Sequence, residues 1–185
     1  MTANVTTASA KYNRVAIALH WVLAILILFL LFPGEELIEV ERGQSVAGWG
    51  PTAHASLGIL VLLLSILRIV WRVSHSAPPL PASMPIWQVK ATAAIHGLLY
   101  LLMLGIPLAG WLALAPWAAE RLDPQAVTFF QLMPLNIWPN IGEWTGELHE
   151  IGGTLAQILI AIHVLAALKH QFIDKDGLMR RMMFR

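Results

Sequence analysis

The sequence predicts an all-α protein, an integral membrane four-helix bundle, on three observations: an apolar composition, four hydrophobic runs of bilayer length, and basic residues gathered on one side of those runs. Of 185 residues, 57% are hydrophobic and only 12% are charged. A soluble domain averages roughly 45–50% apolar and about 25% charged, so a bilayer is the solvent for much of this chain. The eight tryptophans agree, because an amphipathic ring settles well at a membrane interface.

The expected spans are residues 15–32, 52–73, 91–115 and 147–170, forming a single four-helix domain over 1–185. Each is near the ~20 residues that a membrane-crossing helix needs. Pro33-Gly34 stops the first, and Gly50-Pro51 opens the second, where proline suits a first helical turn. A signal peptide is the competing reading of the first run. Its apolar stretch is longer than a typical signal core and no small-residue cleavage site follows, so a retained helix is expected. The loop 74–90 is proline-rich and predicts an irregular connector. Between Pro116 and Gly146, Trp117, Phe129, Phe130, Trp138 and Trp144 suggest a stretch lying on the interface. Pro107, inside GIPLAG, predicts a kink in the third helix.

These spans sort the charges. Lys11, Arg14, Arg68, Arg72, Lys90, Lys169, Lys175, Arg180, Arg181 and Arg185 fall on the side of the two termini, against Arg42 and Arg121 on the other. Ten against two is a positive-inside signal and predicts both termini in the cytoplasm. The opposite face is acidic, with Glu35, Glu36, Glu39, Glu41, Glu120, Asp123, Glu143, Glu147 and Glu150. A formal net charge of +1 gives no support to nucleic-acid binding. The absence of cysteine excludes thiolate zinc sites, iron–sulfur clusters, c-type haem attachment and disulfides.

Any metal must then be held by histidine or oxygen, and five of the seven histidines lie within spans: His20, His54, His96, His149 and His163. Ionisable groups at membrane depth are costly and are functional candidates by default. His149 and His163 are fourteen residues apart, hence ~21 Å apart along one helix and only about 40° apart in azimuth. They face the same way at two levels. His54 matches the level of His149, and His20 or His96 that of His163; depth alone does not choose between these two. Two facing imidazoles in a dry bundle suit haem b, whose iron takes a nitrogen on each side of the ring. Zinc would want three or four ligands at one level. A proton relay would bring buried carboxylates, and no acid lies deep in a span.

Other readings stand beside this one. Each histidine taken singly could hydrogen-bond across the bundle. Gly58, Gly152 and Gly153 would leave room for a macrocycle, or equally serve ordinary helix packing. Arg68 and Arg72 share a face and, with Arg14, could hold haem propionates. Anchoring at anionic headgroups is the alternative, stronger for Arg72 than for Arg68.

The stretches NRVAIALHW, HASLGILVLLLSILRIVWR and LHEIGGTLAQILIAIH resemble the bacterial cytochrome b561 family, related to the haem b subunits of nickel–iron hydrogenases and formate dehydrogenases. The resemblance covers all four spans and implies two haem b groups. By position, His20 and His163 would hold the cytoplasmic-side haem and His54 and His149 the periplasmic-side one, with His96 released for another role. It implies a multi-pass protein of the bacterial inner membrane and an oxidoreductase that transfers electrons between a periplasmic donor, a small molecule or a protein, and ubiquinone in the membrane. Superoxide is one donor it implies. The acidic GEELIEVERGQ stretch counts against that donor, because an anion would be repelled. For the quinone, His96 with Trp87, Lys90, Arg72 or His170 is the expected set; interfacial anchoring is the competing explanation. Two rival functions remain: a haem b anchor passing electrons for a separate dehydrogenase or hydrogenase, and a haem-free transporter with a histidine relay.

Overall fold

A computed structural model describes residues 11–31, 49–119, 127–135 and 137–184. The acidic residues 35–41 with Arg42, and Glu120, Arg121, Asp123 and Arg185, lie outside the described residues, as does Phe32 at the expected end of the first span.

Among the described residues, four long helices alternate in direction: α1 Arg14–Leu31, α2 Trp49–Ser74, α3 Ile86–Ala119 and α4 Trp144–Lys169. All four are long and apolar enough to cross a membrane, and in each at most 17% of the apolar window is buried within the chain. Side chains such as Ile25, Leu101 and Leu165, each more than 60% exposed, therefore have lipid as their solvent. This is a multi-pass membrane protein.

Asn13 starts α1: its Oδ1 accepts the Ala16 N–H at 2.8 Å and so caps the first turn. The proline-rich loop is shorter than expected, because Pro85 presets the first turn of α3 and its carbonyl accepts from Gln88 and Val89. Trp87 and Lys90 are consequently helical. α3 is the longest element and runs through both Pro107 and Pro116.

Between α3 and α4 the chain forms a two-stranded antiparallel hairpin, β1 Thr128–Phe129 with β2 Met133–Pro134. Phe130 and Gln131 turn it with positive φ. The buried Ser56 pins the hairpin to α2, donating to the Thr128 carbonyl at 3.1 Å and accepting the Phe130 N–H at 2.8 Å. Trp111 Nε1 of α3 donates to the Leu135 carbonyl at 2.9 Å. The interfacial stretch predicted from its aromatics is thus partly this hairpin, while Trp117 belongs to α3 and Trp144 to α4.

At the opposite end, α4 widens into a π-helical turn, His170–Asp174, and Lys175 and Gly177 reverse the chain with positive φ. The tail then returns to α1. Tyr12 N–H donates to the Arg181 carbonyl, Trp21 Nε1 to that of Met182 at 2.8 Å, and Arg181 Nη1 to that of Pro79 at 2.6 Å. The bundle therefore has a terminal end and a hairpin end. Its backbones pack closely in the order α1, α2, α3, α4, whereas α1 meets α4 through side chains, including Gln157 Nε2 donating to the Leu31 carbonyl at 2.9 Å.

Candidate functional site

Two imidazole pairs lie along α4. At the terminal end His163 faces His20 of α1, ring centroids 6.2 Å apart and planes at 72°. At the hairpin end His149 faces His54 of α2, centroids 5.9 Å apart and planes at 73°. A histidine nitrogen binds a metal at ~2 Å, so two imidazoles on opposite sides of one iron would have centroids about 6 Å apart. Both spacings meet that requirement.

The hairpin-end pair lines a cavity of about 330 Å³ between α2, α3 and α4, within the usual range for a small-molecule or cofactor pocket. Gly58 and Gly110, Trp111, Leu135, Glu143 and Glu150 share the lining. His149 Nδ1 donates to the Ile106 carbonyl at 2.9 Å. That bond places the ring proton on Nδ1 and leaves the Nε2 lone pair for a ligand, the arrangement metal-binding histidines use. Gly110 makes it possible, since a β-carbon there would stand 2.5 Å from His149 Nδ1. The sequence does not identify Gly110 or the Ile106 carbonyl as a partner of His149; its one signal there is GIPLAG, which by itself predicts a kink.

The three glycines singled out in the sequence divide. A β-carbon on Gly58 or Gly153 would meet nothing within 4 Å, whereas one on Gly152 would stand 2.8 Å from Ile106 Cγ1. Gly152 therefore serves helix packing, and Gly58 and Gly153 border open space.

At the terminal end a third imidazole intervenes. His96 lies with its ring centroid 5.3 Å from that of His163, and its Nδ1 donates to the Thr92 carbonyl at 2.7 Å. Geometry alone thus leaves His20 and His96 both within reach of His163. Among the described residues, no hydrogen bond, ion pair or ring contact joins His96 to Trp87, Lys90, Arg72 or His170. His170 is engaged elsewhere: its Nδ1 is 2.6 Å from Asp176 Oδ2 and 3.3 Å from Asp174 Oδ2, and Lys169 also pairs with Asp174.

The three arginines separate. Arg68 reaches inward, its Nη2 donating to His20 Nδ1 at 3.1 Å and its guanidinium carbon lying 5.9 Å from the Tyr100 ring centroid. Its Nη1 is buried with no hydrogen-bond partner, a donor placed to receive an anion such as a propionate. Arg14 and Arg72 are exposed at helix ends and make no hydrogen bond or ion pair among the described residues. That position suits headgroup anchoring. Facing imidazoles at metal spacing, a cavity on one pair and an unpaired guanidinium beside the other fit a haem donor set.

Comparison with known proteins bears on the family. The family described as prokaryotic cytochrome b561 matches residues 11–185. The chain is 29% identical over 184 residues to cytochrome b561 homolog 2 of Escherichia coli strain K12, covering 96% of this chain and 94% of that one. It is 30% identical over 181 residues to cytochrome b562 of Cereibacter sphaeroides, covering 96% and 98%. With the probable superoxide oxidase CybB of Yersinia pestis it shares 28% identity over 182 residues, covering 94% and 96%.

Proposed function

The chain belongs to the prokaryotic cytochrome b561 family, membrane proteins that transfer electrons through haem b, and on that premise we propose that it links a donor at its hairpin end to the quinone pool through two haem b groups. His54 and His149 hold one, and His20 and His163 the other. The observation that carries this reading is the pair of facing imidazole couples at two levels of α4, with centroids 5.9 and 6.2 Å apart.

Haem b, when bound, supplies a reversible one-electron iron couple. The chain supplies the rest. The Ile106 carbonyl orients His149 and raises its basicity. At the terminal end His20 would offer Nε2 as the ligand with its ring proton on Nδ1, and Arg68, whose Nη1 is buried without a partner, would offer its N–H groups to a propionate. His96 adjoins that site, Trp87 and Lys90 lie toward the same end of α3 and Arg72 in the last turn of α2, and these are the groups offered to the quinone; His170 is engaged with its aspartates instead.

The ten-to-two bias of basic residues supports a cytoplasmic terminal end in the bacterial inner membrane, and hence a periplasmic hairpin end. One relative is named a probable superoxide oxidase, which brings superoxide forward as a donor here. Glu143 and Glu150 beside His54 and His149 work against an anion and favour a neutral or cationic donor. They would equally suit a basic protein partner, the anchor-subunit reading. Purified protein should contain two b-type haems per chain and reduce a quinone when given a competent small donor. Failure to find any reducible b-type absorption would remove the proposal; quinone reduction only in the presence of a copurifying dehydrogenase would favour the anchor.

A further inference from the structure

We propose that Arg68 at one end and Glu143 with Glu150 at the other build a potential gradient along the bundle, making an electron more stable between His20 and His163 than between His54 and His149. This rests on the two-haem reading and adds a direction to it, from the hairpin end to the terminal end.

The physical basis is charge. Reducing a ferric haem adds one negative charge, which a nearby cation stabilises and a nearby carboxylate opposes. An arginine guanidinium carries a delocalised positive charge. Its Nη2 is 3.1 Å from His20 Nδ1, its Nη1 is buried without a partner, and it makes no ion pair among the described residues. No carboxylate of the described residues pairs with it, and the propionate it would hold belongs to a group that brings the same propionates to either end, so its positive charge remains a difference between the two ends. The hairpin-end cavity has the opposite character. Glu143 and Glu150 line it together with His54 and His149, and among the described residues no lysine or arginine joins that lining.

Two unit charges ~8 Å apart, at an effective dielectric of about 20, interact strongly enough to change a two-state ratio by roughly thirtyfold. Glu143 and Glu150 are exposed, so each contributes less, and Arg68, in a drier setting, contributes more. The ligand environment acts in the same sense. A histidine that donates Nδ1–H to a carbonyl, as His149 does to Ile106, is the more electron-rich ligand and favours ferric iron. In each transfer the hairpin-end site loses one electron and the terminal-end site gains it, with no bond made or broken. A one-electron donor outside replenishes the first, and a quinone at the terminal end takes two electrons with two protons.

The test is a spectroscopic redox titration of the purified holoprotein, each midpoint being attributed to one end by its loss in His149→Ala or His163→Ala. The terminal-end haem should show the higher midpoint. The Glu143→Gln/Glu150→Gln double variant should raise the hairpin-end midpoint, changing its reduced-to-oxidised ratio about tenfold at fixed potential, or ~59 mV for a one-electron couple. Arg68→Gln should lower the terminal-end midpoint by at least as much, and Arg68→Lys should restore most of it. A higher midpoint at the hairpin end in the unaltered protein, or no shift in the glutamate variant, would overturn the gradient. Should Arg68→Gln lose its haem, the glutamate variant still decides. Fewer than two haems in the unaltered protein would instead defeat the two-haem function, and the gradient with it.

Discussion

At the hairpin end of the bundle a backbone carbonyl orients the imidazole; at the terminal end other side chains do. His149 is held by the Ile106 carbonyl and seated against Gly110, where only hydrogen stands in its way. His163 meets His20, His96 and, through His20, the guanidinium of Arg68. A backbone partner cannot change rotamer, whereas histidine and arginine side chains can. The hairpin-end geometry should therefore be the more rigid of the two, and the terminal-end geometry the more adaptable.

The largest effects should come from the ligands and should split along this line. His149→Ala and His163→Ala are each expected to lower the haem count from two to one, in opposite halves of the spectrum. Retention of both haems by His149→Ala would refute the pairing. The comparison sharpens one step further along the chain. His54→Ala leaves the hairpin end with one imidazole, whereas His20→Ala leaves His96 near His163. His20→Ala should thus retain a measurable part of its haem, and His20→Ala/His96→Ala should lose it.

Next in size is the seat of His149. In Gly110→Ala the new β-carbon would lie 2.5 Å from Nδ1 and 2.7 Å from Cε1, so the ring must move. Overpacking of this kind costs about 1–3 kcal/mol, and the hairpin-end haem should be lost or shifted with the terminal-end haem unchanged. Gly105→Ala is the contrast: nothing lies within 4 Å of its β-carbon, and alanine gains up to ~1 kcal/mol of helix propensity. It should keep both spectra and melt no lower. Equal effects from both substitutions would show that helix propensity, not the seat, governs this stretch.

The four helices and the levels of the histidines were legible because bilayer length and helical period are properties of the chain alone. His149 and His163 share a face by arithmetic. What could not be read depended on the rotation of one helix against another. Depth placed His20 and His96 at one level, and the structure sets both near His163 for the same reason. Arg14, Arg68 and Arg72 look alike as basic residues near a helix end, yet only Arg68 points inward. Gly58 and Gly152 look alike as small residues near a histidine, yet one borders a cavity and the other packs on Ile106.

Hairpin anchoring should matter at the level of access. Ser56→Ala removes a buried hydroxyl and leaves the Thr128 carbonyl and the Phe130 N–H without that partner. Stranding such groups costs about 1–3 kcal/mol. The hairpin includes Leu135, which lines the cavity of His54 and His149. A water-soluble reductant should therefore reach the hairpin-end haem faster in this variant, with both midpoints little changed. An unaltered reduction rate would mean that the hairpin stabilises the fold without screening the site.

The smallest effect should come from the far end. Asn13 Oδ1 accepts both the Ala16 N–H at 2.8 Å and the Trp71 Nε1–H at 3.0 Å, capping α1 while tying it to α2. Asn13→Ala removes the cap, worth about 1 kcal/mol, and frees an indole that is only partly buried and can find water or headgroups instead. For a chain of this size that loss corresponds to a melting temperature lower by roughly 2–4 °C. His20 lies about two turns further along α1, held to α2 by Arg68 as well, so the haem spectra should not change. If they did, the terminal-end pair would depend on the register of α1 at its first turn. The contrast between a site oriented by backbone and one oriented by side chains would then have to include the helix cap itself.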